Sequence, residues 1–169
     1  MKKMMILNYF KFVILLIIIA LVAGNSHSQS NDFEKGLEKA KINNKKVIVD
    51  VYTDWCGWCV KMDKKVYSNK EVKELIKEYF VFVKLDAEGL EKIKYNGKDY
   101  TETDLAAYFE ATGYPTTVFL EPDGKVIEYK YDKVTMKNLP GYFKAADFIK
   151  MLEFINDEDY RDTDLSKIL

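Results

Sequence analysis

Both cysteines of this chain lie in one short segment, as Cys56 and Cys59. The apolar residues 47–49 before them favour a strand, and residues 60–65 after them favour a helix. A strand followed at once by a helix places Cys56 at the helix N-terminus, where unpaired N–H groups and the helix dipole stabilise a thiolate. Cys59 lies one turn further along the same face and can attack a mixed disulfide formed by the first sulfur. We therefore predict thiol–disulfide exchange, with Cys56 as nucleophile and Cys59 as resolving thiol.

Other uses of a cysteine pair stay open at this point. A zinc site usually has four ligands, and the sequence offers only one histidine, His27. A purely structural disulfide is an alternative, although so short a loop restricts the unfolded chain little. Two thiolates can also hold Cu(I), because this soft ion favours sulfur ligands, and the chain would then be a metallochaperone.

Residues 1–28 have the pattern of an export signal. Lys2 and Lys3 form a positive start, residues 12–23 are apolar without interruption, and small or polar residues follow at 24–28. This run is shorter than the roughly 20 residues of a membrane span and suits a cleaved signal peptide. We expect a periplasmic or secreted protein, with an uncleaved N-terminal anchor as the alternative.

The pattern of the remaining residues predicts a series of helices and strands. Helix 68–79 is predicted to start with a capping box formed by Ser68 and Glu71. Residues 87–100 are predicted to be an irregular surface connection, and the acidic tail 157–169 a solvated, flexible end. The other predicted elements are a helix at 31–43, a strand at 80–86, a helix from 101 that ends at Gly113, a hairpin at 114–131, a loop at 132–142 and a helix at 144–156. A parallel β-α-β start followed by an antiparallel hairpin indicates an α/β mixed sheet with helices on both faces.

The segment Trp-Cys-Gly-Trp-Cys at residues 55–59 resembles the active site of the thioredoxin superfamily, and above all of its exported, single-domain members. The resemblance covers residues 47–155. It implies a thioredoxin fold, with a central mixed β-sheet, helices on both faces and an extra N-terminal helix. We expect one thioredoxin-like domain at residues 29–156.

Two charged residues are predicted to support the chemistry. Asp50 stands six residues before Cys56, and the resemblance implies that it is buried beneath Cys59 and accepts its proton. Lys84 matches the lysine that often pairs with this aspartate. The alternatives are a carboxylate at a strand end that faces water and a lysine that extends to solvent.

A second set of residues is predicted to bind substrate. Pro115 matches the superfamily's cis proline, and the resemblance implies that the backbone at Tyr114 pairs with substrate peptide like an added strand. Trp55, Gly57 and Trp58 are expected to border the sulfur and admit an extended chain, with core packing as the alternative for the tryptophans. Trp58 stands where thioredoxins carry proline and disulfide isomerases carry histidine, so the sequence leaves the direction of electron flow open.

The resulting hypothesis is an exported thiol–disulfide oxidoreductase, more a reductase than an oxidase, that needs no metal or organic cofactor. Its partners would be proteins that carry disulfides or thiols, and net reduction implies a membrane electron donor. The formal net charge of −1 gives no indication of nucleic-acid binding, and we expect a monomer. The alternative from another class is a non-catalytic client-binding module that uses the tryptophan surface.

Overall fold

A computed structural model describes residues 32–169, so the predicted export signal lies outside the described residues. The helices are α1 (Asp32–Asn43), α2 (Gly57–Met62), α3 (Lys70–Tyr79), α4 (Glu102–Tyr108) and α5 (Ala145–Asn156), and α2 continues into a π-helical segment, Asp63–Tyr67. The strands are β1 (Lys46–Tyr52), β2 (Phe80–Asp86), β3 (Lys92–Tyr95), β4 (Lys98–Thr101), β5 (Thr116–Leu120), β6 (Tyr129–Tyr131), β7 (Val134–Met136) and β8 (Leu139–Pro140). Within residues 32–169, no helix combines the length and apolar character needed to cross a membrane.

The central sheet has the order β2-β1-β5-β8. β1 pairs in parallel with β2 and antiparallel with β5, and β5 pairs antiparallel with β8. Residues 47–51 of β1 are all buried, as expected for a central strand covered on both faces. The predicted mixed sheet is therefore confirmed, with β1 at its centre.

Alternate residues of β1 face two different cores, because successive side chains of a strand point to opposite faces. Val47, Val49 and Val51 pack in the core that contains Phe33 of α1. Ile48 packs in the other core, with Met62 of α2. Asp50 is two residues from Ile48 and so faces the same side of the sheet as the helix that follows the cysteines.

Two predicted helix boundaries are wrong, the start of α3 and the end of α4. Asn69, not Ser68, caps α3, and its Oδ1 accepts hydrogen bonds from the backbone N–H groups of Glu71 and Val72 at 3.0 and 3.2 Å. The Ser68 hydroxyl instead donates to the carbonyl of Lys64 at the end of the π-helical segment. Helix α4 ends at Tyr108 rather than Gly113, and Glu110 adopts the left-handed backbone with φ of 58°.

The predicted irregular connection at 87–100 contains a hairpin of β3 and β4. Ile93 and Tyr95 alternate inward and are buried, and the Tyr95 hydroxyl donates to the Gly124 carbonyl at 2.6 Å. Asn96 and Gly97 both have positive φ, which suits the tight turn of a two-residue hairpin. The inward alternation of Ile93 and Tyr95 makes this Asn-Gly pair a hairpin turn, so the predicted irregular connection is wrong here.

The predicted hairpin at 114–131 is only partly present. Leu120 forms an isolated bridge with Val126, and Ile127 N–H donates to the Phe119 carbonyl, but the pairing stops there. β6 instead pairs with β7 in a separate two-stranded sheet, and the short β8 takes the place beside β5. Long-range pairing of this kind leaves no local signal in the sequence.

The predicted solvated, flexible tail is also corrected, because it packs against the domain. Leu165 is buried in the core on the α5 side, and the Tyr160 hydroxyl donates to Glu121 at 2.7 Å. The Asp164 carboxylate accepts hydrogen bonds from the Ser166 hydroxyl and from the backbone N–H groups of Asp132, Lys133 and Ser166. These bonds lower the pKa of Asp164 to about 2.

We expect Leu165→Ala to lower the free energy of unfolding by roughly 2–5 kcal/mol, since it leaves a cavity in the core. Leu90→Ala, at an exposed leucine, is the matched control and should stay within about 0.5 kcal/mol of wild type. Urea denaturation measures both changes. Equal, small effects would contradict the packing of the tail.

Candidate active site

Cys56 and Cys59 form a disulfide at the start of α2. Cys56 is the N-cap residue, with extended backbone angles of −75° and 98°, and its Sγ accepts a hydrogen bond from the Cys59 N–H at 3.0 Å. Its carbonyl accepts from the N–H groups of Cys59 and Val60. The first sulfur therefore lies among the N–H groups of the first helical turn.

Both cysteines are nearly covered, while the two tryptophans extend into solvent. Cys56 and Cys59 are 5% and 4% exposed, whereas Trp55 and Trp58 are 70% and 57% exposed. The tryptophans are therefore not core residues, and this alternative is excluded. We refer to the surface between Trp55 and Trp58, which directly precede Cys56 and Cys59 in the chain, as the opening.

Trp55 belongs to an aromatic pair on one side of the opening. Its ring meets the half-buried Tyr114 edge to face at 6.2 Å, and its Nε1 donates a hydrogen bond to the Glu88 carboxylate at 3.0 Å. The Trp55 ring is therefore held in place from two directions.

Trp58 belongs to a second aromatic pair. Its ring lies 5.4 Å from that of Tyr142. The Lys61 ammonium lies 4.4 Å from the Trp58 ring centre and 4.8 Å from that of Tyr142. Both distances are within the range of a cation–π contact.

The Tyr114–Pro115 peptide bond is cis, as the resemblance implies. Pro115 is buried, directly precedes β5, and accepts a hydrogen bond through its carbonyl from the Gly141 N–H at 2.7 Å. At Gly57, an added Cβ would meet nothing within 4 Å. The backbone at the helix start is therefore uncovered on the Cβ side of Gly57.

Asp50 is only 1% exposed and lies in the centre of β1. The Tyr67 hydroxyl donates to its Oδ1 at 3.1 Å, and the Lys84 Nζ lies 3.4 Å from its Oδ2. Burial raises the pKa of Asp50 to about 6, although the Lys84 charge and the Tyr67 hydrogen bond oppose the rise. A carboxyl with this pKa can take and release a proton near neutral pH.

Lys84 bridges two carboxylates. Besides Asp50, it contacts Asp63 with hydrogen bonds of 2.9 and 3.1 Å. Burial opposes the ammonium charge, but the hydrogen bond to Asp63 and the charge of Asp50 outweigh it and raise the pKa of Lys84. The lysine therefore stays charged and links the buried aspartate to the surface.

Sequence reasoning missed Tyr67 as part of this cluster. Met62 and Val66 are four residues apart and both buried, as regular helical spacing predicts. The π-helical segment also turns the next residue, Tyr67, toward Asp50. Such a segment has no clear sequence signal, and neither the Tyr142 contact nor the Glu88 contact follows from local patterns.

The fold and this site together define a protein with a thioredoxin-type centre: a Cys-x-x-Cys disulfide at a helix start, a cis proline before β5 and a buried aspartate in the central strand. The chain belongs to the thioredoxin-like domain family, whose sequence model matches residues 33–156.

Several relatives with disulfide chemistry in their names are similar to this chain. Thiol:disulfide interchange protein DsbD of Actinobacillus pleuropneumoniae is 24% identical over 64% of the chain, and the match covers 16% of that protein. Disulfide bond reductase DsbH of Chlamydia pneumoniae is 26% identical over 57% of the chain, which corresponds to 58% of that protein. The chain thus spans about a sixth of the length of the DsbD relative and just over half of DsbH.

Solved structures give the same fold. A thioredoxin-fold protein from Helicobacter pylori aligns with a TM-score of 0.61 and 26% identity over 74% of this chain and 80% of that one. A putative disulphide isomerase from Bacteroides thetaiotaomicron aligns with a TM-score of 0.54 and 26% identity, covering 75% of this chain and 88% of that one.

Proposed function

We propose that this chain is an exported thiol–disulfide oxidoreductase that reduces disulfides of protein substrates through the Cys56–Cys59 couple. The observation that carries the proposal is the position of Cys56 as N-cap of α2, disulfide-bonded to Cys59 and bordered by exposed tryptophans. Family membership and the names of the relatives support it.

The proposed reaction has two exchange steps. In the reduced protein, the Cys56 thiolate attacks a substrate disulfide, forms a mixed disulfide and releases one substrate thiolate. The Cys59 thiol then loses its proton and attacks Cys56 Sγ, which breaks the mixed disulfide and releases the second substrate sulfur. Two electrons pass to the substrate, and the protein is left with the Cys56–Cys59 disulfide.

Asp50 is the proposed proton acceptor for Cys59. It faces the same side of the sheet as α2, and its raised pKa of about 6 suits proton transfer near neutral pH. Lys84 and Tyr67 hold the carboxylate by the contacts described above. The proton is proposed to pass from the Cys59 thiol to Asp50 directly or through one water.

The substrate chain is proposed to lie across the opening between the two aromatic pairs. The backbone at Tyr114 would pair with it like an added strand, and at Gly57 an added Cβ would meet nothing within 4 Å. Backbone pairing gives affinity with little dependence on substrate sequence.

Reduction as the net direction is supported by the DsbH relative, which is named a disulfide bond reductase. Export is supported by the signal pattern of residues 1–28. An exported reductase needs electrons, so we propose that a thiol donor at the membrane regenerates it. A reduction potential near −270 mV, measured against glutathione, fits this direction, and one near −120 mV fits an oxidase.

The test of this function is the reduction of insulin by dithiothreitol with and without the purified protein. We expect the protein to accelerate the reduction in proportion to its concentration. A rate equal to that of dithiothreitol alone would refute the activity.

A further inference from the structure

The two tryptophans beside Cys56 are contacted by side chains of opposite charge. Glu88 accepts the hydrogen bond of the Trp55 indole at 3.0 Å. The Lys61 ammonium lies 4.4 Å from the centre of the Trp58 ring. Each charge is fixed to a ring that borders the sulfur, so the opening has an acidic side at Trp55 and a basic side at Trp58.

Further carboxylates strengthen the acidic side. Asp54 is exposed and directly precedes Trp55. Asp86 accepts a hydrogen bond from the Glu88 N–H at 2.9 Å, which keeps both carboxylates in one loop. After the larger effect of burial, Asp86 and Asp54 raise the pKa of the neighbouring Tyr52, whereas Lys84, whose ammonium lies 4.7 Å from the Tyr52 ring centre, lowers it. The negative charge near Trp55 is therefore the sum of several groups.

The basic side depends on Lys61. Its ammonium lies over the rings of both Trp58 and Tyr142, and the residue is exposed to solvent. Lys84 adds little net charge at the surface, because its ammonium is paired with the carboxylates of Asp50 and Asp63. Lys61 therefore supplies a positive charge at both rings on this side.

We propose that this polarised opening selects and orients its protein substrates, which deepens the proposed function and rests on it. The preferred substrate is an extended segment whose reactive cysteine has a basic residue toward Trp55 and an acidic residue toward Trp58. Backbone pairing at Tyr114 does not distinguish side chains, whereas the two charges do. Glu88 and Lys61 also disfavour a substrate with the reversed charge order, because like charges would then lie next to each other.

The expected size of this preference is modest, because the charges are exposed. Exposed pairs change a binding or transition-state free energy only slightly, so matched and reversed substrates should differ about threefold to tenfold in kcat/KM. Salt at about 1 M shortens the screening length to roughly 3 Å and should remove most of the difference.

The experiment uses three peptides of equal length, each with one cysteine in a mixed disulfide with a neutral thiol. The first has Arg before and Glu after the cysteine, the second has the reverse order, and the third has Gln at both positions. The purified protein, reduced beforehand, is mixed with each at low and high salt. We expect one charge order to react about threefold to tenfold faster at low salt and both orders to converge at high salt.

The charge-swapped variant Lys61→Glu with Glu88→Lys keeps the net charge and should invert the ratio of the two charged peptides. The matched control is Asp32→Lys with Lys35→Asp, an exposed ion pair on α1, which packs on the opposite face of the sheet. It should keep the wild-type ratio.

Two results would overturn the inference while thiol–disulfide exchange itself persists. The first is an equal rate for both charge orders in wild type, and the second is a ratio of the two rates that the charge swap does not change. No reaction with any peptide, including the uncharged one, would overturn the proposed function as well.

Discussion

Cys56→Ser should abolish the catalysed reduction of insulin, a loss of roughly 10³-fold or more, because a serine hydroxyl cannot carry out thiol–disulfide exchange. The remaining rate should equal that of dithiothreitol alone. The fold should persist, since the substitution keeps the side-chain size and an N-cap acceptor at the start of α2.

Cys59→Ser distinguishes the roles of the two sulfurs. With Cys56 still present, the first exchange proceeds, but no second thiol resolves the product. We expect a mixed disulfide between Cys56 and substrate to accumulate, visible as a mass increase that dithiothreitol removes. Accumulation in Cys56→Ser instead of Cys59→Ser would contradict the assignment of nucleophile and resolving thiol.

Asp50→Asn should slow the resolving step by roughly 10²-fold or more at pH 7, because an amide cannot accept the Cys59 proton. Rapid mixing of the reduced protein with a disulfide substrate, followed by acid quenching, measures the decay of the mixed disulfide. An unchanged decay rate would remove Asp50 from the mechanism.

Asp50→Asn should also stabilise the oxidised protein at high pH. The carboxyl has an ordinary pKa of 3.8 and a folded-state pKa of about 6. Between these values the folded chain retains a proton that the unfolded chain releases, so wild-type stability falls as pH rises from about 4 to about 6. The difference between the two pKa values corresponds to about 3 kcal/mol in the free energy of unfolding, since one pKa unit is worth about 1.36 kcal/mol.

Urea denaturation at pH 4 and pH 8 measures this effect with the cysteines locked in the disulfide. The variant should gain about 2.5 kcal/mol relative to wild type between the two pH values, because the unfolded carboxyl is already partly ionised at pH 4. Asp99→Asn, at an exposed carboxylate, is the control and should show no such gain.

Tyr67→Phe provides a matched variant of the same cluster. It removes the hydrogen bond that lowers the pKa of Asp50, so the midpoint of the stability change should move above pH 6.

The sequence was informative where chemistry and local pattern coincide. Cys56 and Cys59 follow a strand and open a helix, as the local pattern predicts, whereas the burial of Asp50 was implied by the resemblance. The resemblance added Lys84 and the cis bond at Pro115, which periodicity alone does not indicate.

The remaining features depend on contacts between distant parts of the chain. Glu88 reaches Trp55 from the end of β2, and Tyr142 reaches Trp58 from beyond β8. Tyr67 contacts Asp50 from the last residue of a π-helical segment, which has no clear sequence signal. In the tail, the burial of Leu165 and the hydrogen bonds of Tyr160 and Asp164 hold an acidic segment whose composition favours solvent.

The most direct test of the account is the rate at which iodoacetamide alkylates each cysteine of the reduced protein between pH 5 and pH 9. The account predicts that Cys56 reacts rapidly at mildly acidic pH while Cys59 stays protected, because only Cys56 lies at the helix N-terminus as a stabilised thiolate. Two thiols that react equally slowly at pH 6 would contradict it.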